Sequence, residues 1–453
     1  MPIIWLSCGL IVILLLHVFA KVNTMLSLMF AAFLVAFLNG MSPDKALASI
    51  TTGFGNTLGS LGIIVAFGAV IGKLMTDSGA SYVFARKVID LCGVKYIRLA
   101  VVIIGLVYGI AMYYEVAFLM LAPIVLAIAS EAKIPWLKLV IPAVCATTVS
   151  HSLLPPQPGP VSVIAAFHAE PGRVWVTAIP LVILWVVIGG YVWPALMKNG
   201  DEELPNALTN PPVTGGEARP SFLLSLLVPL TPPLLMISVT TIKLWLKETN
   251  PLYPWVDFVG SPVIAMGIAM LLAMTCFGLK RARRGTWVTN RFNDAIATVA
   301  NIVMIIGAGG GLTQVAIDSG ISDYIHLFLT HHNVSPYLTA WGLTVIFRIT
   351  TGQGVVSAVA VSGMMSAAVI DPATGLHLMP IHPVLLVLAT LVGSNFMTHI
   401  NDVSFWLFTE YFKLPIRTSL KIWGGMLSFG SLVGLAYIMI LSFFWGSPAP
   451  VGV

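Results

Sequence analysis

Charged side chains are scarce in this chain. Asp, Glu, Lys and Arg make up 9% of its 453 residues, whereas a soluble domain carries about 25%. Hydrophobic residues make up 58%, and the mean hydropathy is +0.94. Apolar runs of about 20 residues, long enough to cross a bilayer as helices, recur along the sequence. The composition excludes a soluble globular protein and indicates a polytopic helical membrane protein.

Cysteine is also scarce, and its placement excludes a disulfide scaffold. The four cysteines lie within or beside apolar segments, with no paired spacing: Cys8, Cys92, Cys145 and Cys276. This pattern predicts neither a disulfide framework nor a metal cluster, and we expect no cofactor. The net charge of +5 is a property of the loops, where basic residues mark topology. Nothing in it indicates a nucleic-acid partner.

Two stretches that lie 241 positions apart share one pattern. Gly68 is followed nine residues later by Asp-Ser-Gly-x-Ser at 77–81, and Gly309 is followed in the same way by 318–322. Duplicated membrane folds usually carry their binding site where the two copies meet, so the repeat favours a transporter. We interpret the motifs themselves as folding signals, because Asp and Ser favour turns and Gly ends helices.

Six apolar segments precede a polar stretch rich in Pro and Gly at 198–220, and six follow it. They fall at roughly 3–20, 23–40, 55–75, 97–130, 136–170 and 174–196, then 221–247, 257–279, 294–317, 336–369, 382–411 and 419–446. The first has neither a basic region before it nor a cleavage site after it, so we expect a retained helix. These segments predict an N-terminal membrane repeat (1–197), a cytoplasmic linker (198–220) and a C-terminal membrane repeat (221–453).

One segment in each half is too long for a single helix. Segment 97–130 is interrupted by the polar centre 112–115, and segment 336–369 is interrupted from Arg348 through 350–354. We expect each to be a re-entrant hairpin that enters and leaves the membrane on one side.

A second segment in each half also contains a break, at HSLLPPQPGP (151–160) and at THIND (398–402). Bare backbone at membrane depth is tolerated only where protein buries it or water lines it. The breaks therefore predict the elements of the site.

Five crossings in each half would place the second repeat upside down relative to the first. The densest basic cluster, at 280–291, belongs in the cytoplasm by the positive-inside rule, and 318–336 contains neither Lys nor Arg. Only Lys45, Lys243 and Lys247 then fall on the wrong side. The sequence thus predicts ten crossings, two hairpins of opposite entry and both termini outside.

Several motifs, taken together, resemble the gluconate permease family of proton symporters, which includes a D-serine permease. They cover nearly the whole chain: IGKLMTDSG (71–79), YYEVAF (113–118), HSLLPPQPGP (151–160), IIGAGGGLTQVAIDSG (305–320) and HINDVSFWLFTEYF (399–412). The chain departs from the family at two places: Gln157 replaces a second His, and 352–356 replace a Gly-Ser-Ala-Thr-Val run.

The resemblance implies an all-α polytopic membrane protein with two inverted repeats, each with a re-entrant hairpin and a broken transmembrane helix. It also implies proton-coupled symport of a sugar acid such as gluconate across the cell inner (cytoplasmic) membrane, by alternating access. The expected partners are a gluconate-like carboxylate, protons and the lipid bilayer, and we retain a homodimer as an assembly to test.

Three residues are candidates for proton coupling: Glu115, Asp402 and His151. An ionisable group at membrane depth is costly and thus a functional candidate, and burial disfavours the charged form of a carboxyl group, which suits it to proton binding and release. Glu115 could instead form a structural salt bridge with Arg348. Asp402 could cap a half-helix or balance Arg348, and a buried His is more often a satisfied hydrogen-bonding residue.

The candidate substrate-binding residues lie at the hairpins and breaks. Arg348 offers a planar, permanently charged fork to a carboxylate, although it could equally lock its hairpin. Half-helix N-termini would add partial positive charge. The full set is Arg348, Ser150, His151, Ser152, Gln157, Thr351, Gln353, His399 and Asn401.

Three rival functions remain open. One is the same machinery with D-serine or another short hydroxy acid as substrate. An intramembrane enzyme is less favoured, since the sequence has no His/Glu metal spacing and no nucleophile elbow. A channel is disfavoured because no selectivity ring is repeated.

Overall fold

The helices of this protein are described by a computed structural model. It describes residues 2–16, 20–112, 114–197, 220–243, 245–246, 249–278, 285–332, 334–371, 374, 377–379, 381–399 and 402–445. These ranges are helical almost throughout, and β pairing within them is limited to one isolated bridge between Ile370 and His377.

Ten α-helices lie within the described residues before 198. They are α1 (Pro2–Leu14), α2 (Thr24–Leu38), α3 (Pro43–Asp77), α4 (Ala80–Cys92), α5 (Ile97–Ala111), α6 (Tyr114–Ala132), α7 (Leu137–Leu153), α8 (Pro158–Ala166), α9 (Pro171–Val187) and α10 (Trp193–Met197). A π-helical turn, Ile188–Val192, joins α9 to α10.

Eleven helices follow in the described part of the second half. They are α11 (Phe222–Lys243), α12 (Tyr253–Gly260), α13 (Pro262–Ala273), α14 (Gly285–Asp318), α15 (Ile321–His332), α16 (Pro336–Thr351), α17 (Gly354–Val369), α18 (Pro383–Gly393), α19 (Val403–Tyr411), α20 (Ile416–Ser419) and α21 (Gly425–Trp445). Two π-helical turns, Met274–Gly278 and Leu420–Gly424, follow α13 and α20.

Six helices of the described residues are long and apolar enough to cross a membrane. There are seven if α12 and α13, which are bent by 64° relative to each other, form one span. Several shorter apolar helices of 10–17 residues, α5 and α17 among them, accompany these. The chain is therefore a multi-pass membrane protein, as its composition predicts. The ten-crossing topology and the inversion of the second half stay predictions.

The order of elements recurs in the two halves. A long helix (α3, α14) is followed by a short one (α4, α15), then by a closely spaced pair (α5–α6, α16–α17) and by two helices separated by a break (α7–α8, α18–α19). At the repeated motif, Gly79 and Gly320 take φ angles of 77° and 76°. Glycine adopts this left-handed conformation without a side-chain clash, which agrees with the interpretation of both motifs as folding signals.

The two long helices, α3 and α14, pack against each other along their length. Near one end, Ser49 Oγ of α3 donates a hydrogen bond of 2.5 Å to Asp318 Oδ2 of α14. Near the other, Arg291 Nε lies 3.0 Å from Asp77 Oδ2. The start of each helix thus meets the end of the other, so they run antiparallel and join the two halves of the chain.

The interruptions lie close to where the sequence predicts them, but their boundaries differ. The first pair breaks after Ala111, as expected, but α16 continues through Arg348 to Thr351. Arg348 Nη1 donates to Gly352 O, just past the end of its own helix, 2.5 Å away. The second broken segment opens earlier than predicted, since α18 ends at Gly393.

Candidate functional site

A cavity of about 110 Å³ lies where several of these helices end. Its walls come from the end of α7, the starts of α8, α17 and α19, and the segment after α18. The lining residues are Tyr114, Thr148, His151, Ser152, Gly159, Pro160, Arg348, Gln353, Gly354, Val355, Ala358, Leu391, Ser394, Asn395, Thr398, Asp402, Ser404 and Leu427. The predicted site elements of both halves therefore meet at one cavity.

A buried ion pair forms the charged part of this cavity. Arg348 Nη2 contacts Asp402 Oδ2, and the two side chains are only 6% and 9% exposed. The guanidinium is also held by Gly352 O through Nη1 and by Thr398 Oγ1 through Nη2, the latter at 2.8 Å. A buried charge of this kind requires a partner, because desolvation costs several kcal/mol for each ion. The geometry fixes Arg348 in place at the cavity wall.

Asp402 has a second role at the start of α19. Its Oδ1 accepts hydrogen bonds from Ser404 N at 2.5 Å, from Phe405 N at 3.3 Å and from Ser404 Oγ. This is N-capping, in which a side-chain oxygen satisfies backbone amides that have no partner within the helix. The two structural alternatives for this residue, capping a helix and balancing Arg348, are both realised, one by each carboxylate oxygen.

Two further helices begin at the cavity without a side-chain cap. At α8 the lining residues are Gly159 and Pro160, and at α17 they are Gly354 and Val355. A Cβ atom added to Gly159 would lie 3.7 Å from Val355 Cγ2, so these two helix starts are adjacent. Uncapped N-terminal amides and the helix dipole both favour an anion; in the first turn of α8 only Gly159 supplies such an amide, because Pro158 and Pro160 have no N–H. The cavity thus combines two such termini with the guanidinium.

Of the predicted substrate-binding residues, His151, Ser152, Gln353 and Arg348 line the cavity. Gln353 lies in the two-residue turn between α16 and α17. His151 and Ser152 occupy the last turn of α7, so the break predicted around His151 begins only after Leu153.

Ser150 and Thr351 lie behind the cavity wall. Both are fully buried, and each hydroxyl donates to a carbonyl of its own helix at 2.8 Å, Ser150 to Ala146 O and Thr351 to Phe347 O. Such back-bonding satisfies the hydroxyl without a ligand.

Gln157 ties the break between α7 and α8 to the end of α5. Its Nε2 lies within hydrogen-bond distance of three backbone carbonyls, those of Gly109 (3.0 Å), Ile110 (2.8 Å) and Met112 (3.2 Å). The amide nitrogen of Gln157 is therefore engaged by backbone, and the residue lies outside the cavity lining.

Glu115, His399 and Asn401 differ in their relation to the site. Glu115 occupies the first turn of α6, beside the lining residue Tyr114, and its Oε2 is buried without a hydrogen-bond partner. The proposed Glu115–Arg348 salt bridge is wrong for this structure, since Arg348 pairs with Asp402. His399 is partly buried and lies outside the lining set, and Asn401 lies outside the described residues.

Six polar lining residues are not among the site residues predicted from the sequence: Tyr114, Thr148, Ser394, Asn395, Thr398 and Ser404. Ser394 and Asn395 form a short polar run directly after the apolar helix α18. That run is the sequence signal that could have located them, because a polar pair at the end of an apolar helix resembles the polar residues before the Pro-rich break of the first half.

Sequence comparison identifies the family. The model of the GntP family permeases matches residues 1–444. The chain belongs to the GntP permease family. Members of this family are permeases, so the protein is a membrane transporter and not an enzyme.

The curated relatives match this GntP permease over nearly its whole length. A high-affinity gluconate transporter of Escherichia coli (strain K12) is 48% identical, with 97% of this chain and 98% of the relative covered. The Gnt-II system L-idonate transporter of the same organism is 34% identical, with 98% and 99% covered.

Solved structures of transporters share the fold. The YdaH transporter of Alcanivorax borkumensis matches with a TM-score of 0.60 at 16% identity, over 94% of this chain and 99% of its own. MtrF of Neisseria gonorrhoeae, described within a class of antimetabolite efflux pumps, matches with a TM-score of 0.62 at 15% identity, over 90% and 87%. At such identities the likeness shows the fold alone.

Proposed function

We propose that this GntP permease is a proton-coupled symporter that imports a sugar acid such as gluconate across the cytoplasmic (inner) membrane by alternating access. The observation that carries the proposal is the buried Arg348 at a cavity where α8 and α17 begin without side-chain caps. A guanidinium and two helix N-termini suit a carboxylate. The name of the E. coli relative at 48% identity, a gluconate transporter, supports the choice of acid.

The hydroxyl groups of such an acid have suitable partners among the other residues that line the cavity. Ser394 Oγ donates to Leu391 O and Asn395 Nδ2 donates to the same carbonyl. With these donors engaged, the oxygens of both side chains are left to accept hydrogen bonds from a polyol. Together with Ser152 and Gln353, they favour a polyhydroxy acid over a purely apolar one.

The transport cycle in this proposal follows from the element order. We infer that residues 1–197 and 221–453 are inverted repeats joined by a cytoplasmic linker at 198–220, and that α5–α6 and α16–α17 are re-entrant hairpins. Glu115, Asp402 and His151 are the proposed proton carriers, and movement of the hairpin-bearing part would expose the cavity to each side in turn.

Transport in proteoliposomes tests the proposal. The purified protein, reconstituted with an imposed pH gradient, should accumulate gluconate and acidify the vesicle interior, with no product formed. Empty vesicles are the first control. The Arg348→Gln variant should bind gluconate poorly, because its side chain can still form hydrogen bonds but has lost the positive charge. L-idonate and D-serine tested in parallel address the rival substrates. Gluconate uptake that is indifferent to the pH gradient would refute the proton coupling.

A further inference from the structure

The cavity holds one positive and one negative side chain, and they neutralise each other. Among the described residues that line it, Arg348 is the only Lys or Arg and Asp402 is the only Asp or Glu. A carboxylate substrate that enters this site therefore meets a guanidinium that already has a carboxylate partner.

We propose that the substrate carboxylate displaces Asp402 from Arg348, and that Asp402 then binds the proton that is transported with the substrate. This inference rests on the proposed function and specifies how the same site couples the two solutes. The proton comes from the aqueous phase and binds the Oδ2 atom of Asp402 once the substrate has displaced it from Arg348. The site therefore stays neutral overall when both solutes are bound.

The geometry allows Arg348 to change partner without moving. Its Nη1 is fixed by Gly352 O at 2.5 Å and its Nη2 by Thr398 Oγ1 at 2.8 Å, and neither contact involves Asp402. A buried guanidinium held in this way keeps its fork directed at one place, and carboxylates bind such a fork preferentially.

Asp402 is held in the cavity independently of Arg348. Its Oδ1 accepts from Ser404 N, Ser404 Oγ and Phe405 N at the start of α19. When a substrate carboxylate takes Oδ2's place on the guanidinium, two carboxylates share one buried site. Like charges in such a site favour protonation of one of them, and the neutral acid can still cap α19 through Oδ1.

Titratable and charged groups face Asp402 from the elements packed around it. They are Arg348 of α16, Tyr114 and Glu115 of α6, His151 of α7 and His399 of the segment after α18. A negative charge on Glu115 reinforces protonation of Asp402, whereas a positive charge on either His opposes it. Of the acidic groups in this set, Asp402 makes the ion pair with Arg348, so the exchange of partners occurs there.

Binding measurements on the purified full-length protein test the inference. Gluconate is titrated calorimetrically at several pH values in two buffers of different ionisation enthalpy, which gives the number of protons taken up per gluconate bound. The wild type should take up about one proton for each gluconate bound. Its affinity for gluconate should fall by up to about tenfold per pH unit as the pH rises and Asp402 becomes harder to protonate, because the binding of proton and substrate is reciprocal.

The informative variant is Asp402→Asn, since asparagine also caps helices well but cannot ionise. It should bind gluconate at high pH at least as tightly as the wild type does at low pH, with no proton uptake. Asp294→Asn, which changes an exposed carboxylate paired with Arg291, is the matched control and should behave as wild type. Proton uptake by Asp402→Asn equal to that of the wild type would overturn the inference.

A measurement on the wild type alone tests the inference even if the Asp402 variant does not fold. Infrared difference spectra should show a protonated carboxyl band when gluconate is added, and the absence of this band would overturn the inference. Gluconate binding without proton uptake refutes the exchange of partners while leaving sugar-acid binding intact. Failure of the wild type to bind any of gluconate, L-idonate and D-serine refutes the proposed function, and the inference with it.

Discussion

At the scale of single residues, the site depends on which carboxylate Arg348 contacts. The sequence identifies Arg348, Glu115 and Asp402 as rare charged groups within apolar segments, and the structure pairs the first with the last. Hydropathy can locate such residues, but it cannot choose between two acids that are both far away in sequence. That choice follows from the turn after α18, which brings Asp402 to the last turn of α16.

Gln353 is expected to influence which solute the protein prefers. It lines the cavity in the turn before α17, so Gln353→Ser should change the ranking of gluconate, L-idonate and shorter hydroxy acids by a few fold, the scale of one hydrogen bond of about 1 kcal/mol. Competition for labelled gluconate uptake measures the ranking. An unchanged ranking at normal expression would remove Gln353 from the site.

Gln157 provides the contrast, because its Nε2 contacts three carbonyls at the end of α5. Gln157→Ala removes a donor that these buried acceptors share, at a cost of about 1–3 kcal/mol. We therefore expect a lower melting temperature in detergent with little change in solute ranking. A changed ranking at unaltered stability would restore the substrate-binding role predicted for Gln157 from sequence.

Glu115 is expected to serve coupling rather than binding. The amide of Glu115→Gln mimics the protonated acid, so the loaded carrier can still reorient, but the side chain can no longer relay to water the proton that Asp402 binds. Accumulation driven by a pH gradient should be lost, while exchange of labelled for unlabelled gluconate continues. Glu170→Gln, at an acid that pairs with Arg173 outside the cavity, is the control. Undiminished uphill uptake by the Glu115 variant would exclude the coupling role.

At the scale of elements, close approach of backbones holds α3 against α14. A Cβ atom on Gly310 would lie 2.0 Å from Thr57 Oγ1 and 2.6 Å from Gly53 O, whereas one on Gly62, also in α3, would meet nothing within 4 Å. Gly310→Ala should therefore destabilise the protein by about 1–3 kcal/mol through overpacking. Gly62→Ala should be neutral or slightly stabilising. Thermal unfolding of the two variants in one detergent compares them, and equal melting temperatures would contradict the packing argument.

The sequence predicts where the helices break better than how far each break extends. The Pro-rich run at 155–160 and the turn at Gly352 are local signals, because proline removes amide donors and glycine permits a positive φ. The break after Gly393 has a weaker local signal, the polar pair Ser394 and Asn395. It depends on tertiary contacts, among them the hydrogen bond of 3.0 Å from Met397 N to Ser428 Oγ of α21, which no local pattern announces.

At the scale of the whole molecule, the expected inversion of the two halves is open to a direct test. In a version without native cysteines, a cysteine at Asn206 in the central linker should resist a membrane-impermeant thiol reagent in intact cells, whereas one at Asn333, between α15 and α16, should react. The reason is the basic cluster at 280–291, which assigns that loop to the cytoplasm. The same response at both positions would contradict the inverted arrangement and the hairpins with it.

The antiparallel contact of α3 and α14 has a consequence for folding. Asp77 of the first half pairs with Arg291 of the second as well as with Lys73 of its own helix, and Asp318 of the second half accepts hydrogen bonds from Ser49 of the first and from Gln314 of its own helix. Each repeated motif is thus joined to the other half, with a charge at one end and a neutral hydroxyl at the other. A half produced alone would lose these contacts, so we expect neither half to be an independent folding unit.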